Sequence, residues 1–276
     1  MDEMREANRR LWDEWTAVHA GTKEMYDLEA FKRSGVRIRP WEIEEVGDVA
    51  GKDLLHLQCH FGIDTLSWAR LGARVTGADF SPAAIELARR TAEEIGVDAT
   101  FVLSELYELP QHLEGEFDIV YTSRGVLNWL PDMTEWAQVV AHFLRPGGFL
   151  YLHDGHPILY PLADADELDH GEPRDQPIFK FPYFAREEPV RWPVQGSYAD
   201  PGADVREPHT YEWPHPMGEI VTAVAEAGLR IELLHEQPFL SWPRSILVKR
   251  DDGEWHLPEG FPGELPLMFS LRATKG

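Results

Sequence analysis

DLLHLQCHFGIDTLSWARLGARVTGADFSP, residues 53–82, decides the fold. LLHLQ reads as a strand, and DTLSWARLG follows as a helix that Gly72 ends. ARVTGAD is a second strand. Ser81 then caps a helix with Pro82 at its first position and Ile85, Leu87 and Ala88 beyond. Strand, helix, strand in this rhythm predicts parallel units joined by right-handed crossovers.

Working outward, ATFVL (99–103) and FDIVYTS (117–123) are a third and a fourth strand. The spacing predicts a helix over TEWAQVVAHFL that stops at the RPGG turn, with FLYLHD as the fifth strand. Upstream, Leu11, Trp12, Trp15 and His19 recur at helical spacing. A short helix runs through Leu28 to Lys32, and Pro40 opens another with Trp41, Ile43 and Val46 on one side. Residues 155 to about 213 break the rhythm, being rich in Pro, Asp, Glu and aromatics and too long for a simple connection. MGEIVTAVAEAG then predicts a helix, RIELLHEQ a strand and PLMFSLRAT a final strand. Between the last two, SILVKRDDGEWHLP reads as a hairpin turning at Asp-Gly. The expected organisation is one domain over 1–276. It comprises an N-terminal helical cap (1–50), a core (51–155), an insertion or lid (156–213) and a C-terminal completion of the sheet (214–276).

The composition limits the partners. With 26 basic against 48 acidic residues, the net charge of −22 sets up repulsion towards nucleic acid, and the lysines are scattered with no basic stripe. No apolar run reaches the roughly 18 residues that a membrane span needs. MDEMREANRR lacks the apolar core of a signal peptide. The single cysteine, Cys59, excludes an internal disulfide and fits a reducing compartment, so a cytoplasmic location is expected.

In open α/β sheets ligands sit beyond the carboxyl ends of the strands. After the first strand come Gln58, Cys59, His60, Phe61, Gly62, Ile63, Asp64 and Thr65. Gly62 there permits close backbone approach, and the helix amides that follow favour an anionic group such as a carboxylate. Asp79 ends the second strand, about twenty residues on, where a carboxylate suits a two-pronged grip on ribose hydroxyls. The third strand ends at Ser104-Glu105-Leu106, the fourth at Thr122-Ser123-Arg124-Gly125 and the fifth at His153-Asp154.

At these positions the chain resembles the class I S-adenosylmethionine-dependent methyltransferases, in particular a bacterial sub-group whose first motif reads QCHFGxDT. Leu54 to Gly62 lies where that family has its glycine-rich motif, and VTGADFSPAAIELAR is similar to its second-strand motif. FVLSELYELP resembles the segment that brackets the adenine; FDIVYTSRGVLNWLPD and LRPGGFLYL resemble the fourth- and fifth-strand signatures. Five matches in order carry the resemblance over roughly residues 50–155. It implies a Rossmann-like α/β fold: a seven-stranded, mostly parallel sheet with helices on both faces, the cap and the insertion added. It also implies S-adenosylmethionine as cofactor, held by Gln58, Cys59, His60, Gly62, Asp64, Thr65, Asp79, Phe80, Ser81, Glu105, Leu106, Thr122, Ser123 and Gly125. One departure stands out. Where the family carries an acidic residue and three glycines, this chain reads His56, Gln58, His60 and Gly62, leaving Asp64 or main-chain carbonyls to hold the cofactor's amino group.

The acceptor implied is a small molecule, taken by a monomer or homodimer. Trp12 and Tyr26 of the cap, Asn128, and Tyr211 and Trp213 of YEWPHP are its expected contacts, with His156 as general base. Plainer readings stand beside these. Asp79 also suits a turn acid, Glu105 an exposed loop acid, and the aromatics simple packing anchors. His153, Asp154 and His156 lie close enough in sequence to suggest metal ligands, but a metal site wants three or four well-placed groups, and none is expected. Two other functions remain open: a non-catalytic module that binds the same cofactor, and a nucleotide-dependent oxidoreductase, disfavoured by the lack of G-x-G-x-x-G.

Overall fold

The computed structural model describes residues 2–164, 167–173, 176–184 and 188–276. Parts of the expected insertion (165–166, 174–175 and 185–187) lie outside the described residues. Three helices open the chain: α1 (Glu3–Gly21), α2 (Leu28–Ser34) and α3 (Pro40–Val46). The alternating core follows as β1 (Asp53–Leu57), α4 (Ile63–Arg70), β2 (Arg74–Asp79), α5 (Pro82–Ile95), β3 (Ala99–Leu103), β4 (Phe117–Ser123), α6 (Met133–Phe143) and β5 (Leu144–Gly155). A hairpin of β6 (Val190–Pro193) and β7 (His209–Glu212) lies in the insertion. Then come α7 (Met217–Glu226), β8 (Leu229–Gln237), the short pair β9 (Val248–Lys249) and β10 (Trp255–His256), and β11 (Met268–Lys275).

Seven strands form one sheet in the order β3-β2-β1-β4-β5-β11-β8. Its first five strands are parallel to their neighbours, and β11 runs antiparallel between β5 and β8. The expected mostly parallel sheet is what forms. β1 lies inside it beside the central β4, and Leu54, Leu55 and Leu57 are fully buried because helices cover both faces. On one face α6 and α7 pack Trp136, Val140, Phe143 and Val224 against Leu55, Val120 and Leu150. On the other, Trp68, Tyr121 and Tyr151 fill the layer beneath Val46 and Val49.

Local chemistry explains the ends of the helices. The Ser81 hydroxyl accepts from the amide of Ala84 at the start of α5, and Gly96 ends that helix with φ at +66°. The predicted helix before RPGG is as long as expected but lies one residue earlier. It stops at Phe143, because Leu144 already pairs with Phe117 and opens β5, so the turn is absorbed into the strand. The Asp-Gly hairpin forms as β9 and β10, with Gly253 at φ +84°. The β6–β7 hairpin is new. Its strands span four residues each, too short to show a period-2 pattern against the surrounding Pro-rich chain.

The strand order reverses between β1 and β4, leaving a crevice at their carboxyl ends. α1 closes over it. The Asp13 carboxylate accepts from the Ser81 hydroxyl and the Ala83 amide, docking α1 on the start of α5. Further along, the Asn8 side chain takes the place of a strand partner for Tyr211, donating to its carbonyl at 2.7 Å and accepting from its amide at 2.9 Å. Among the described residues no helix is long and apolar enough to cross a membrane.

Candidate active site

The crevice beneath α1 is a cavity of about 1080 Å³. A pocket for one small ligand usually spans about 300–1,000 Å³, so this one has room for two small molecules side by side. Its walls come from the ends of β1, β2, β3 and β4, from α1, and from the insertion.

The turn after β1 is wound by alternate left-handed residues. Gln58, His60 and Gly62 have φ of +53°, +50° and +79°. Glycine adopts this geometry freely; glutamine and histidine do so at a cost of roughly 1–3 kcal/mol each. The backbone therefore keeps a glycine-type turn at the two positions where the glycines are missing. Gly62 itself is not replaceable, since a Cβ there would lie 2.8 Å from the Phe101 ring. The winding turns the His60 amide towards Asp79, whose carboxylate accepts from it at 2.8 Å and from the Ser81 amide at 2.9 Å. Burial raises the Asp79 carboxyl to about 6, against the pull of those amides.

Two buried polar atoms in this turn lack a protein partner. The Gln58 amide donates to the Val126 carbonyl at 3.1 Å, but its Oε1 is unpaired. His60 meets His19 through Nε2 at 3.0 Å while its Nδ1 is unpaired. His19 in turn reaches the Ser197 hydroxyl at 2.8 Å. Burial pushes His19 down to about 3 and His60 well below the ordinary histidine range, so both rings stay neutral. Around them stand Trp12, Trp15, Tyr26, Phe61, Trp129 and Tyr198, mostly edge to face, and the hydroxyls of Tyr26 and Tyr198 meet at 2.7 Å.

Beyond β3, Glu105 accepts from the Tyr107 amide at 2.8 Å and from Arg5 of α1 at 3.0 Å. Burial raises its carboxyl and Arg5 opposes that. After β4, Arg124 sits at φ +66° and carries its guanidinium to Asp64 at 2.7 Å and to the fully buried Glu42. Burial disfavours the Arg124 charge, but Asp64 and Glu42 more than compensate and hold its pKa well above the ordinary value. Asp154 gathers the amides of Val126 and Leu127 at 3.1 and 3.0 Å, together with those of Gly125 and Gly155, which fixes the loop after β4. At the far wall Glu212 accepts from Asn128 at 3.0 Å and from Thr210 at 3.3 Å, and burial pushes its carboxyl up to about 7.

Of the residues singled out in the sequence, Gln58, Cys59, His60, Gly62, Asp64, Asp79, Phe80, Glu105, Leu106, Ser123, Gly125, Trp12, Tyr26, Asn128 and His156 all line this cavity. Thr65, Ser81 and Thr122 do not: Thr65 is held by His56 at 2.8 Å, Ser81 caps α5, and Thr122 is enclosed in the sheet. Tyr211 and Trp213 are also displaced from the expected place. Their backbones pair with Asn8 and Asn128, while Thr210, Glu212 and Pro214 face the cavity. The expected catalytic role of His156 meets an obstacle. Its Nδ1 accepts from the Ile158 amide at 3.1 Å, so Nε2 carries the hydrogen and donates to Glu236 at 2.9 Å, which leaves no free nitrogen. His153 is enclosed against Trp41, with ring centroids 4.6 Å apart. It therefore points away from His156 and Asp154, and the described residues hold no grouping fit for a metal.

Glu42, Ser197, Tyr198, Trp129 and Glu212 escaped the sequence reading, and Arg124 entered it only as part of the turn that ends β4. Arg124 had a usable signal, as a rare basic residue at a strand end between two selected positions. Trp129 follows the selected Asn128 directly, Ser197, Tyr198 and Glu212 come from the insertion, which has no local period, and Glu42 lies behind the wall and acts through Arg124.

Comparison with known proteins agrees with this geometry. Residues 54–148 match the family model described as "Methyltransferase domain". The chain is similar to the ubiquinone biosynthesis O-methyltransferase of Xanthomonas euvesicatoria pv. vesicatoria (strain 85-10), 34% identical over 118 residues, which cover 42% of this chain and 49% of that protein. The Cronobacter sakazakii (strain ATCC BAA-894) protein of the same name is 31% identical over 143 residues, or 50% and 58% of the two chains. The chain thus spans about half the length of the curated relatives it matches. Among solved structures, a putative S-adenosylmethionine dependent methyltransferase from Listeria monocytogenes superposes with a TM-score of 0.57 at 15% identity, covering 90% of this chain and 99% of that one. One from Mesorhizobium loti gives 0.56 at 19%, covering 88% and 100%. At these identities the likeness is one of fold.

Proposed function

We propose that this chain is a methyltransferase that uses S-adenosylmethionine to methylate a small molecule. The observation that carries the reading is the Asp79 carboxylate, presented at the end of β2 beside a left-handed turn, in a cavity with room for a cofactor and an acceptor. The match of residues 54–148 and the named activity of the relatives support it. The site passes a further test of fit. Gln58 Oε1 and His60 Nδ1 are buried and unpaired in the wall, as expected where a polar ligand completes the hydrogen bonding.

In this reading each Asp79 oxygen, already oriented by one backbone amide, keeps a lone pair for a ribose hydroxyl. Glu105 and Leu106 border the adenine. Gln58 Oε1 receives an ammonium hydrogen, and Arg124, whose Nε–H is unpaired, faces a carboxylate. When bound, the cofactor supplies a methyl group on a cationic sulfur, open to in-line attack by a nucleophile. The chain aligns the partners and excludes water: α1, tied down through Asp13, Arg5 and Asn8, roofs the cavity, and the aromatic cluster around His60 keeps it dry. The whole chain works as one domain, with 1–50 and 156–213 enclosing the site that 51–155 builds. It acts in the cytoplasm, as a monomer or homodimer, and its acidity keeps nucleic acid away.

One feature favours a second reading. Gln58 and His60 place side chains where glycines leave space, which also suits a module that binds the cofactor without turnover. Calorimetric titration with S-adenosylmethionine and S-adenosylhomocysteine, with NADH as control, tests the first step. Binding of the first two alone is the expected result; no binding sinks the proposal. Binding without turnover of any acceptor in a broad panel favours the second reading.

A further inference from the structure

β7 brings a half-buried acid to the wall that the insertion gives the cavity. Thr210 and Glu212 share one face of the strand by its two-residue alternation, and Trp192 lies directly across the hairpin from Thr210. All three line the cavity, together with Phe181, Trp129 and Asn128. The Trp192 and Phe181 rings meet edge to face at 4.7 Å. Trp129 is fixed by its indole N–H, which donates to the Gly125 carbonyl at 2.8 Å. Asn128 ties the acid to the loop after β4: its amide donates to Glu212, and its carbonyl accepts from the Trp213 amide at 2.8 Å. The result is one carboxylate, held by two neutral donors, on a cavity whose lining also includes these three rings.

We propose that Glu212 is the proton acceptor of the reaction, and that the group methylated is a hydroxyl on an aromatic ring. This rests on the methyltransferase reading above. The acceptor oxygen bonds to the methyl carbon as the carbon–sulfur bond breaks, with that bonding pair staying on sulfur. The hydroxyl proton passes to Glu212. Cation, carboxylate and phenol become thioether, carboxylic acid and aryl ether, and the acid gives its proton to water when the products leave.

The environment suits the role. With a carboxyl pushed up to about 7, Glu212 is half ionised near neutrality. A phenol titrates near about 10, a gap that proton transfer spans as the oxygen loses charge to the methyl group. Burial sets that value and the groups around Glu212 adjust it. Arg244 favours its charge and Glu167 opposes it. Asn128 and Thr210 are neutral. From α1, Asn8 meets only the Tyr211 backbone, and Arg10 is taken by Glu207. His215 is turned to the Leu130 carbonyl at 2.7 Å.

The test compares wild type with Glu212→Gln and Glu212→Asp. Infrared difference spectra of the full chain without cofactor should show a protonated carboxyl band that vanishes as pH rises through about 7. That band should be absent in Glu212→Gln. A band that titrates in the ordinary glutamate range overturns the proposal. With S-adenosylmethionine and catechol as probe acceptor, wild-type turnover should rise with pH through the same value, because the base must be ionised. Glu212→Gln should lose turnover about 100-fold and flatten the profile, with cofactor affinity unchanged; Glu212→Asp should recover part of the rate. An unaltered profile in Glu212→Gln, or methylation of primary amines but not phenols, overturns it. Failure of the wild type to bind S-adenosylmethionine would strike the underlying methyltransferase reading instead, and the infrared titration separates the two failures.

Discussion

The turn after β1 and the hairpin β6–β7 meet across the same cavity but are built by opposite means. The turn contributes backbone: three alternate left-handed residues aim an amide at Asp79, whatever the side chains at two of the positions are. The hairpin contributes side chains: strand parity presents Thr210 and Glu212 and withholds Tyr211. A winding made from backbone is intolerant of added atoms at its glycine, even where, as at Gln58 and His60, side chains on it also turn polar atoms towards the cavity. A site made from side chains is sensitive instead to their exchange.

The largest expected effect tests the turn's purpose. Asp79→Ala should weaken S-adenosylmethionine binding about 100-fold or more in calorimetry, because two charge-assisted hydrogen bonds at about 1.5–3 kcal/mol each are lost. Unchanged affinity would remove Asp79 from the site. Gly62→Ala tests the backbone half of the contrast. It adds a left-handed penalty of about 1–2 kcal/mol and an overlap cost of about 1–3 kcal/mol. Thermal unfolding should then move down by roughly 5–10 °C. A melting temperature within a degree of wild type would mean that the turn is not held as described.

Arg5→Gln probes the roof. The Arg5–Glu105 pair is mostly shielded, with side chains 21% and 6% exposed, so its loss should weaken cofactor binding by about 1 kcal/mol, a few-fold. The wild-type affinity should also fall with added salt more than that of the variant. Equal salt dependence would show that the Arg5–Glu105 pair does not help to hold α1 over the cofactor. The smallest expected effect belongs to Tyr211→Leu. Its side chain lies off the cavity, so cofactor and acceptor affinities should stay within twofold. A large loss there would reverse the parity assigned to β7.

The two regions also differed in how far they could be read from the chain. That Asp79, Gly62 and Glu105 line the cavity is legible because each stands at or just past the end of an apolar strand, and strand ends are where a parallel sheet presents its ligands. The turn's conformation was hidden, since Gln58 and His60 are unusual left-handed residues. In YEWPHP the large aromatics Tyr211 and Trp213 drew the eye, whereas the residue between them faces the cavity. Nothing local marks that parity in a four-residue strand. His156 looked available in sequence, but the Ile158 amide and Glu236 occupy both of its nitrogens, and Glu236 comes from β8, eighty residues on.

The sequence by itself determined the alternation of strands and helices, the order in which their ends supply polar groups, and the acidity that bears on partners. Those features are written in periodicity, caps and composition, which act over a few residues at a time. Only the tertiary structure decided that α1 roofs the crevice, that Asn8 stands in as a strand partner, and that Glu212 shares a cavity with Asp79. Each joins groups roughly seventy to two hundred residues apart, and their meeting depends on how packed layers settle against one another rather than on any local preference.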